Sequence, residues 1–137
     1  MATHYSYDVH GNVKTIIQDY DNISSLPTDA RYKRIDYDYD LISGKVNKVS
    51  YQQGESDQFY HKYEYDAENR ITNVYTSTDN ITWQQDARYN YYRHGPLARI
   101  EIGDDKIQGV DYAYTIQGWI KGVNSNTTIS SMRELVT

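Results

Sequence analysis

Tyrosine is the side chain through which this sequence can do most. The chain has sixteen tyrosines and one phenylalanine in 137 residues. Many stand in pairs two residues apart: Tyr5 and Tyr7, Tyr37 and Tyr39, Tyr63 and Tyr65, Tyr89 and Tyr91, Tyr112 and Tyr114. Phenol rings set at strand spacing can stack on sugar rings. The same spacing makes the packing face of a repeated hairpin, and that role needs no ligand. Other candidates for chemistry are weaker. His4, His10, His61 and His94 are scattered, with His10 and His94 both at one turn position, so no metal site is expected. The acidic turns Glu55-Ser56-Asp57 and Asp104-Asp105 carry oxygen ligands but lack the spacing of a calcium loop such as the EF-hand, and read as solvated turns. Asp66 and Asp111 are expected on different hairpins, which rules them out as a carboxylate pair. No Ser-His-Asp set, Gly-x-Ser-x-Gly or phosphate loop is present. The expectation is a protein without catalysis, metal or cofactor.

The paired tyrosines belong to a longer unit, seen best from Tyr63 to Val74, Tyr-Glu-Tyr-Asp-Ala-Glu-Asn-Arg-Ile-Thr-Asn-Val. With the second tyrosine as position 0, copies start at Tyr7, Tyr39, Tyr65, Tyr91 and Tyr114, spaced 32, 26, 26 and 23 residues apart. Position −2 is always tyrosine. Position +4 is Gly11, Asn69, Gly95 or Gly118, with Gly44 one residue late. Positions +6 and +9 are aliphatic: Val13 and Ile16, Ile71 and Val74, Leu97 and Ile100, Ile120 and Val123, with lagged Val46 and Val49. A repeat of this length implies an array of supersecondary units.

Each unit reads as a hairpin. Tyr-x-Tyr alternates at strand period. Asp8-Val9-His10-Gly11 then suits a type I turn followed by a left-handed residue in a three-residue loop. Asn69 is the substitute for glycine most tolerant of positive φ. The second copy, Asp40 to Gly44, carries one more residue and calls for a four-residue loop. In this register position 0 faces +6, and +1 faces +5, so Asp66 lies across from Arg70 and Asp40 across from Lys45. Positions −2, 0 and +6 share a face. Position +9 is an odd step from +6 and is expected on the opposite face unless a bulge intervenes. The sheet would then have a tyrosine face and a thinner aliphatic face, neither fully polar. Gln53 to Asp57, Thr78 to Asn80 and Gly103 to Lys106 supply the turns between copies. Trp83 is placed in the strand leading into the fourth copy.

Length implies one domain or a piece of one. Strand-forming residues, two prolines and little helical periodicity point to an all-β chain. A net charge of −5 leaves no electrostatic footprint for nucleic acid. There is no cysteine, which excludes disulfides and zinc–thiolate sites without indicating a compartment. The N-terminus has no apolar signal-peptide core, and no run approaches transmembrane length. Residues 1–124 form the repeat region and 125–137 a polar tail, with one helical turn expected near Ser131 to Leu135. The link from Asp19 to Arg34 is expected to be a loop through Leu26-Pro27-Thr28-Asp29, with a short helical turn after the proline.

The pattern Tyr-x-Tyr-Asp-x-x-Gly-[Asn/Arg/Lys] resembles the YD repeat of the Rhs family, which includes bacterial polymorphic toxins, the C components of insecticidal toxin complexes and the animal teneurins. The resemblance spans residues 4 to 124, and Tyr89 to Asn124 looks most like Rhs-type proteins of Bacteroidetes. It implies a β-strip that spirals into a hollow shell around a C-terminal toxin domain, and a secreted or cell-surface location. Two copies depart from the pattern, with Tyr92 and Thr115 where the turn aspartate is expected. No Asp-Pro-x-Gly segment of the self-cleaving kind is present, and only fourteen residues follow Val123.

The expectation is therefore an antiparallel meander of about ten strands from five hairpins. It would serve as a structural module of an Rhs-type shell that encloses or presents a polypeptide. The partners would be the rest of the shell or the enclosed chain, with no nucleic acid and no membrane insertion. The alternative is a cell-surface carbohydrate-binding module using exposed tyrosines. A single sheet must cover its apolar face, so a homo-oligomer is expected, most simply a two-fold dimer.

Overall fold

The computed structural model describes residues 1–20 and 31–124. The expected loop at 26–29 and the expected features of the tail 125–137 lie outside the described residues. Among the described residues the chain forms ten strands: β1 (Ala2–Tyr7), β2 (Val13–Asp19), β3 (Tyr32–Tyr39), β4 (Val46–Tyr51), β5 (Phe59–Tyr65), β6 (Ile71–Ser77), β7 (Gln84–Tyr91), β8 (Leu97–Ile102), β9 (Gln108–Tyr114) and β10 (Ile120–Val123). Their order in the sheet is their order in sequence, and the chain is an all-β antiparallel meander. Trp83 stands one residue ahead of β7 rather than within it, because Asp79 holds the preceding backbone in a turn through Thr82.

Two compact units divide the chain, Met1–Tyr63 with Thr76–Trp83, and Glu64–Tyr75 with Gln84–Thr137. In the first, β1 and β2 pair with Tyr5 opposite Ile16 and Tyr7 opposite Val13, and β3 and β4 pair with Tyr37 opposite Val49 and Tyr39 opposite Val46. In the second, Tyr89 lies opposite Ile100, Tyr91 opposite Leu97, Tyr112 opposite Val123 and Tyr114 opposite Ile120. Position 0 thus faces +6, as the turn demands.

Position +9 departs from expectation. It lies opposite −2 and so on the tyrosine face. The register shifts between −1 and 0 in all four of these hairpins, where Ser6 meets Thr15 but Tyr7 meets Val13. One extra residue therefore sits in the second strand at +7: Lys14, Asn47, Ala98 or Lys121. Such a bulge restores the parity that an odd step would break. Both aliphatic positions of these four hairpins join the tyrosines, and the other face is mostly polar. It carries Thr15, Arg34 and Asp36 in the first unit, with Ile17 and Tyr60 among them, and Arg88, Arg99, Glu101 and Asp111 in the second. Each unit thus has the one-sided apolar bias of an antiparallel sheet.

Among the described residues no side chain is completely buried. The most buried apolar residues are Tyr60 (3% exposed), Ala98 (3%) and Tyr92 (8%). Gln52 is also buried, and its polar groups are satisfied. Its amide oxygen accepts the Arg34 N–H at 2.6 Å and its amide nitrogen donates to the Tyr32 carbonyl at 3.1 Å.

Candidate functional site

The repeated turn positions everything else. In the first hairpin the Gly11 N–H donates to the Asp8 carbonyl at 3.1 Å and the Asp8 N–H to the Asn12 carbonyl at 2.9 Å. The same pair of bonds closes the turns of Asp66 to Arg70, Tyr92 to Pro96 and Thr115 to Trp119. In the second copy Gly44 N–H reaches the Asp40 carbonyl and Asp40 N–H the Lys45 carbonyl, closing a four-residue loop. The residue that reverses the chain has positive φ in all five copies: 85° at Gly11, 69° at Gly44, 62° at Asn69, 116° at Gly95 and 85° at Gly118.

The turn aspartates act on the backbone. Asp8 Oδ1 accepts the His10 and Asn12 N–H groups at 2.8 and 2.9 Å. Asp66 Oδ1 accepts from Glu68 and Arg70, both at 2.9 Å. The Asp66 carboxyl is held below its usual range chiefly by the Arg70 N–H, and Asp40 by its hydrogen bonds with Ser43. Where the aspartate is lost the turn survives. Thr115 Oγ1 accepts the Trp119 N–H at 3.2 Å in place of a carboxylate. Tyr92 takes a different part: its hydroxyl donates to the Tyr112 carbonyl at 2.8 Å, and its ring meets Tyr114 edge-on at 6.2 Å.

The tyrosine faces are the candidate interaction surface. In the first unit Tyr37 and Tyr39 stack at 6.3 Å, and Phe59, His61 and Tyr63 line up along β5 at 5.0 and 6.4 Å. Tyr37, Tyr39 and Tyr63 are half-buried, whereas Tyr5 and Tyr7 are 54% and 62% exposed, because among the described residues β1 has a strand on one side only. In the second unit Tyr65, Tyr89, Tyr91, Tyr112 and Tyr114 are half-buried. Ile120 and Val123 of β10 remain exposed.

Position 0 has a role that spacing did not reveal. The Tyr39 hydroxyl donates to the Val13 carbonyl at 2.9 Å, and the Tyr91 hydroxyl to the Ile71 carbonyl at 2.7 Å. In both cases the tyrosine of one copy ties down the +6 backbone of the copy before it. Burial, with Tyr37 and Asp8 nearby, pushes the Tyr39 phenol up; burial does the same at Tyr91 against the opposing pull of Arg70. Both phenols therefore stay protonated donors. Arg70 reinforces its seam: it bonds Asp66 at 2.7 Å and Glu68 at 2.8 Å, donates to the Gly95 carbonyl at 3.2 Å, and lies 4.5 Å from the centre of the Tyr91 ring. The constant tyrosine carried a signal for this, but only the packing of successive copies shows where its hydroxyl goes.

Four of the candidate carboxylates have structural partners. Asp66 is bound to Arg70 and Asp111 to Arg99, with both Asp111 oxygens 2.8 Å from Arg99 Nη1. Asp57 pairs with Lys33 at 2.6 Å, and Asp104 accepts the Gln85 N–H at 2.6 Å. Among the described residues no group of three or more His, Asp or Glu side chains is placed to hold a metal ion. No helix among them is long and apolar enough to cross a membrane. No family model matches the sequence, and no curated protein matches it.

Proposed function

We propose that this chain is a non-catalytic repeat module, one stretch of a β-strip that encloses or presents another polypeptide in the manner of Rhs-type shells. One observation carries the reading: successive hairpins are tied to one another by the repeat tyrosines themselves, through the Tyr39 and Tyr91 hydroxyls. The most regular residues of the sequence thus serve the seam between copies. Such a unit can be extended indefinitely by adding hairpins, which is what a strip requires. Its apolar tyrosine face needs a second layer, supplied by the enclosed polypeptide, by further strip, or by a second copy of the chain. A secreted or cell-surface setting accompanies this reading.

The test is the coding region that surrounds the sequence, followed by co-purification. Further in-frame copies and a non-repeat polypeptide that stays protease-resistant only while the repeats are intact are the expected result. A free-standing reading frame whose product holds no other chain would overturn it.

Carbohydrate binding is the second reading, favoured by the exposure of Tyr5 and Tyr7. A glycan-array signal abolished by Tyr5→Ala and Tyr7→Ala together would establish it. A silent array would remove it.

A further inference from the structure

We infer that Tyr92 and Tyr114 are a site of oxidative cross-linking, where hydrogen peroxide and a haem peroxidase join the two rings into dityrosine and lock the fourth copy to the fifth. The site does not depend on the strip reading above.

Tyr92 is where the fourth copy breaks the repeat. Position +1 is Asp8, Asp40 and Asp66 in the first three copies, and each carboxylate accepts N–H groups of its own turn. A tyrosine cannot cap the turn in this way, and this turn closes without it. The Gly95 N–H reaches the Tyr92 carbonyl at 2.9 Å, and the Tyr92 N–H reaches the Pro96 carbonyl at 2.8 Å. The side chain is therefore available for contacts outside the turn, and it makes them with the next copy. It is only 8% exposed. Its hydroxyl is fixed on the Tyr112 carbonyl at 2.8 Å, and its ring meets Tyr114 edge to face with centroids 6.2 Å apart, within the usual span of an aromatic contact. Tyr37 and Tyr39 also touch, at 6.3 Å, but they share one strand, so a link between them would tie no two copies together.

This sequence has no cysteine, so a disulfide cannot join one copy to the next. Two phenols in contact can. Burial, with Asp111 and Tyr114 nearby, pushes the Tyr92 phenol up, so the ring is a neutral phenol and loses its proton together with the electron. Each ring gives up one electron and one phenolic proton. Together these reduce one hydrogen peroxide to two waters through the peroxidase haem. The two ring radicals then form a bond between a Cε carbon of each. Each bonded carbon releases its hydrogen as a proton, the ring oxygen takes one up, and both phenols are restored. Tyr114 supplies the movement that bond formation needs. It is half-buried, and its hydroxyl makes no hydrogen bond among the described residues, so its ring can turn about its own side-chain bonds.

The test treats the intact chain in dilute solution with a haem peroxidase and hydrogen peroxide, then digests it with trypsin and sequences the products by mass spectrometry. The expected product is a single chain lighter by two hydrogens, in which peptide 89–93 is joined to peptide 107–121 through Tyr92 and Tyr114. The link closes a loop of roughly 20 residues and should raise the melting midpoint by about 10 °C. Tyr114→Phe keeps the ring and removes the oxidisable phenol without taking a hydrogen bond from the fold. It should abolish both the link and the rise in midpoint. Links spread over the tyrosines in order of their exposure, chain-to-chain links in place of the internal one, an adduct of Tyr92 with His94, whose ring stacks on it at 5.3 Å, or no product at all would each overturn the proposal. So would a midpoint that rises equally in the Tyr114→Phe chain. None of these outcomes bears on the strip reading, which the surrounding coding region tests separately.

Discussion

Replacing Gly95 by alanine isolates the backbone term of the repeat. Beyond its two chain neighbours no heavy atom of the described residues lies within 4 Å of where its Cβ would stand, so the added methyl changes chiefly conformational preference. At φ 116° the residue lies beyond the left-handed basin near +60°, in territory where side chains are strongly disfavoured. Holding a non-glycine residue in such a region costs about 1–3 kcal/mol. Alanine also restricts the unfolded chain, which returns about 0.4–1 kcal/mol. Taken at the middle of both ranges, the net loss is about 1–2 kcal/mol. With an unfolding entropy of about 2 cal/mol/K per residue, a chain of this length should lose about 4–7 °C in its melting midpoint by calorimetry. Gly44 supplies the internal comparison. Its φ of 69° lies inside the left-handed basin and its Cβ site is also open. There alanine should cost about 0–1.5 kcal/mol, since the left-handed penalty of about 1–2 kcal/mol is partly offset in the same way. Equal midpoints for the two variants, or a Gly95→Ala chain indistinguishable from the parent, would refute the claim that backbone geometry at the turn governs hairpin stability.

Other consequences follow from the same framework. Tyr39→Phe keeps the ring and leaves the Val13 carbonyl without its donor, so it should cost about 1 kcal/mol in denaturant unfolding, and Tyr91→Phe about as much. The Asp79 carboxyl is pulled down to about 2 from 3.8, chiefly by the Ile81 and Thr82 N–H groups. A depressed folded-state pKa adds stability above the unfolded value and loses it as acid protonates the folded form, so this contribution should fade between about pH 4 and pH 2. Asp79→Asn should flatten acid unfolding in that window, and an unchanged acid profile would count against it. Gly109 leaves room for the Arg99 guanidinium, which a Cβ there would collide with. Gly109→Ala should displace Arg99 from Asp111 at a cost below about 1 kcal/mol for so accessible a pair. A further Asp111→Asn change should then add little in a double-mutant cycle.

Much of this fold is local and was therefore legible along the chain. A glycine or asparagine four residues past a Tyr-x-Tyr pair settles a turn, because the sign of φ and the loop length follow from residue type and spacing. The five positive φ values, the longer loop at Gly44 and the pairing of position 0 with +6 all descend from that. The face of position +9 was beyond its reach. A bulge is a decision of two strands together, made where the second strand accommodates an extra residue, and Lys14, Asn47, Ala98 and Lys121 share no side-chain type that would announce it. The use of the tyrosine hydroxyls was equally hidden. A phenol oxygen sits far from its own backbone, and its acceptor belongs to another copy 26 residues away for Tyr39 and 20 for Tyr91. Gln52, just ahead of the expected turn at Gln53 to Asp57, is a buried strand cap that only the folded register reveals, since it places Arg34 and Tyr32 beside the Gln52 amide. Sequence alone determined the hairpin, whose bonds close within a few residues. Tertiary structure decided which face became apolar and how one hairpin grips the next, because those depend on strands that meet only after the chain has turned back on itself.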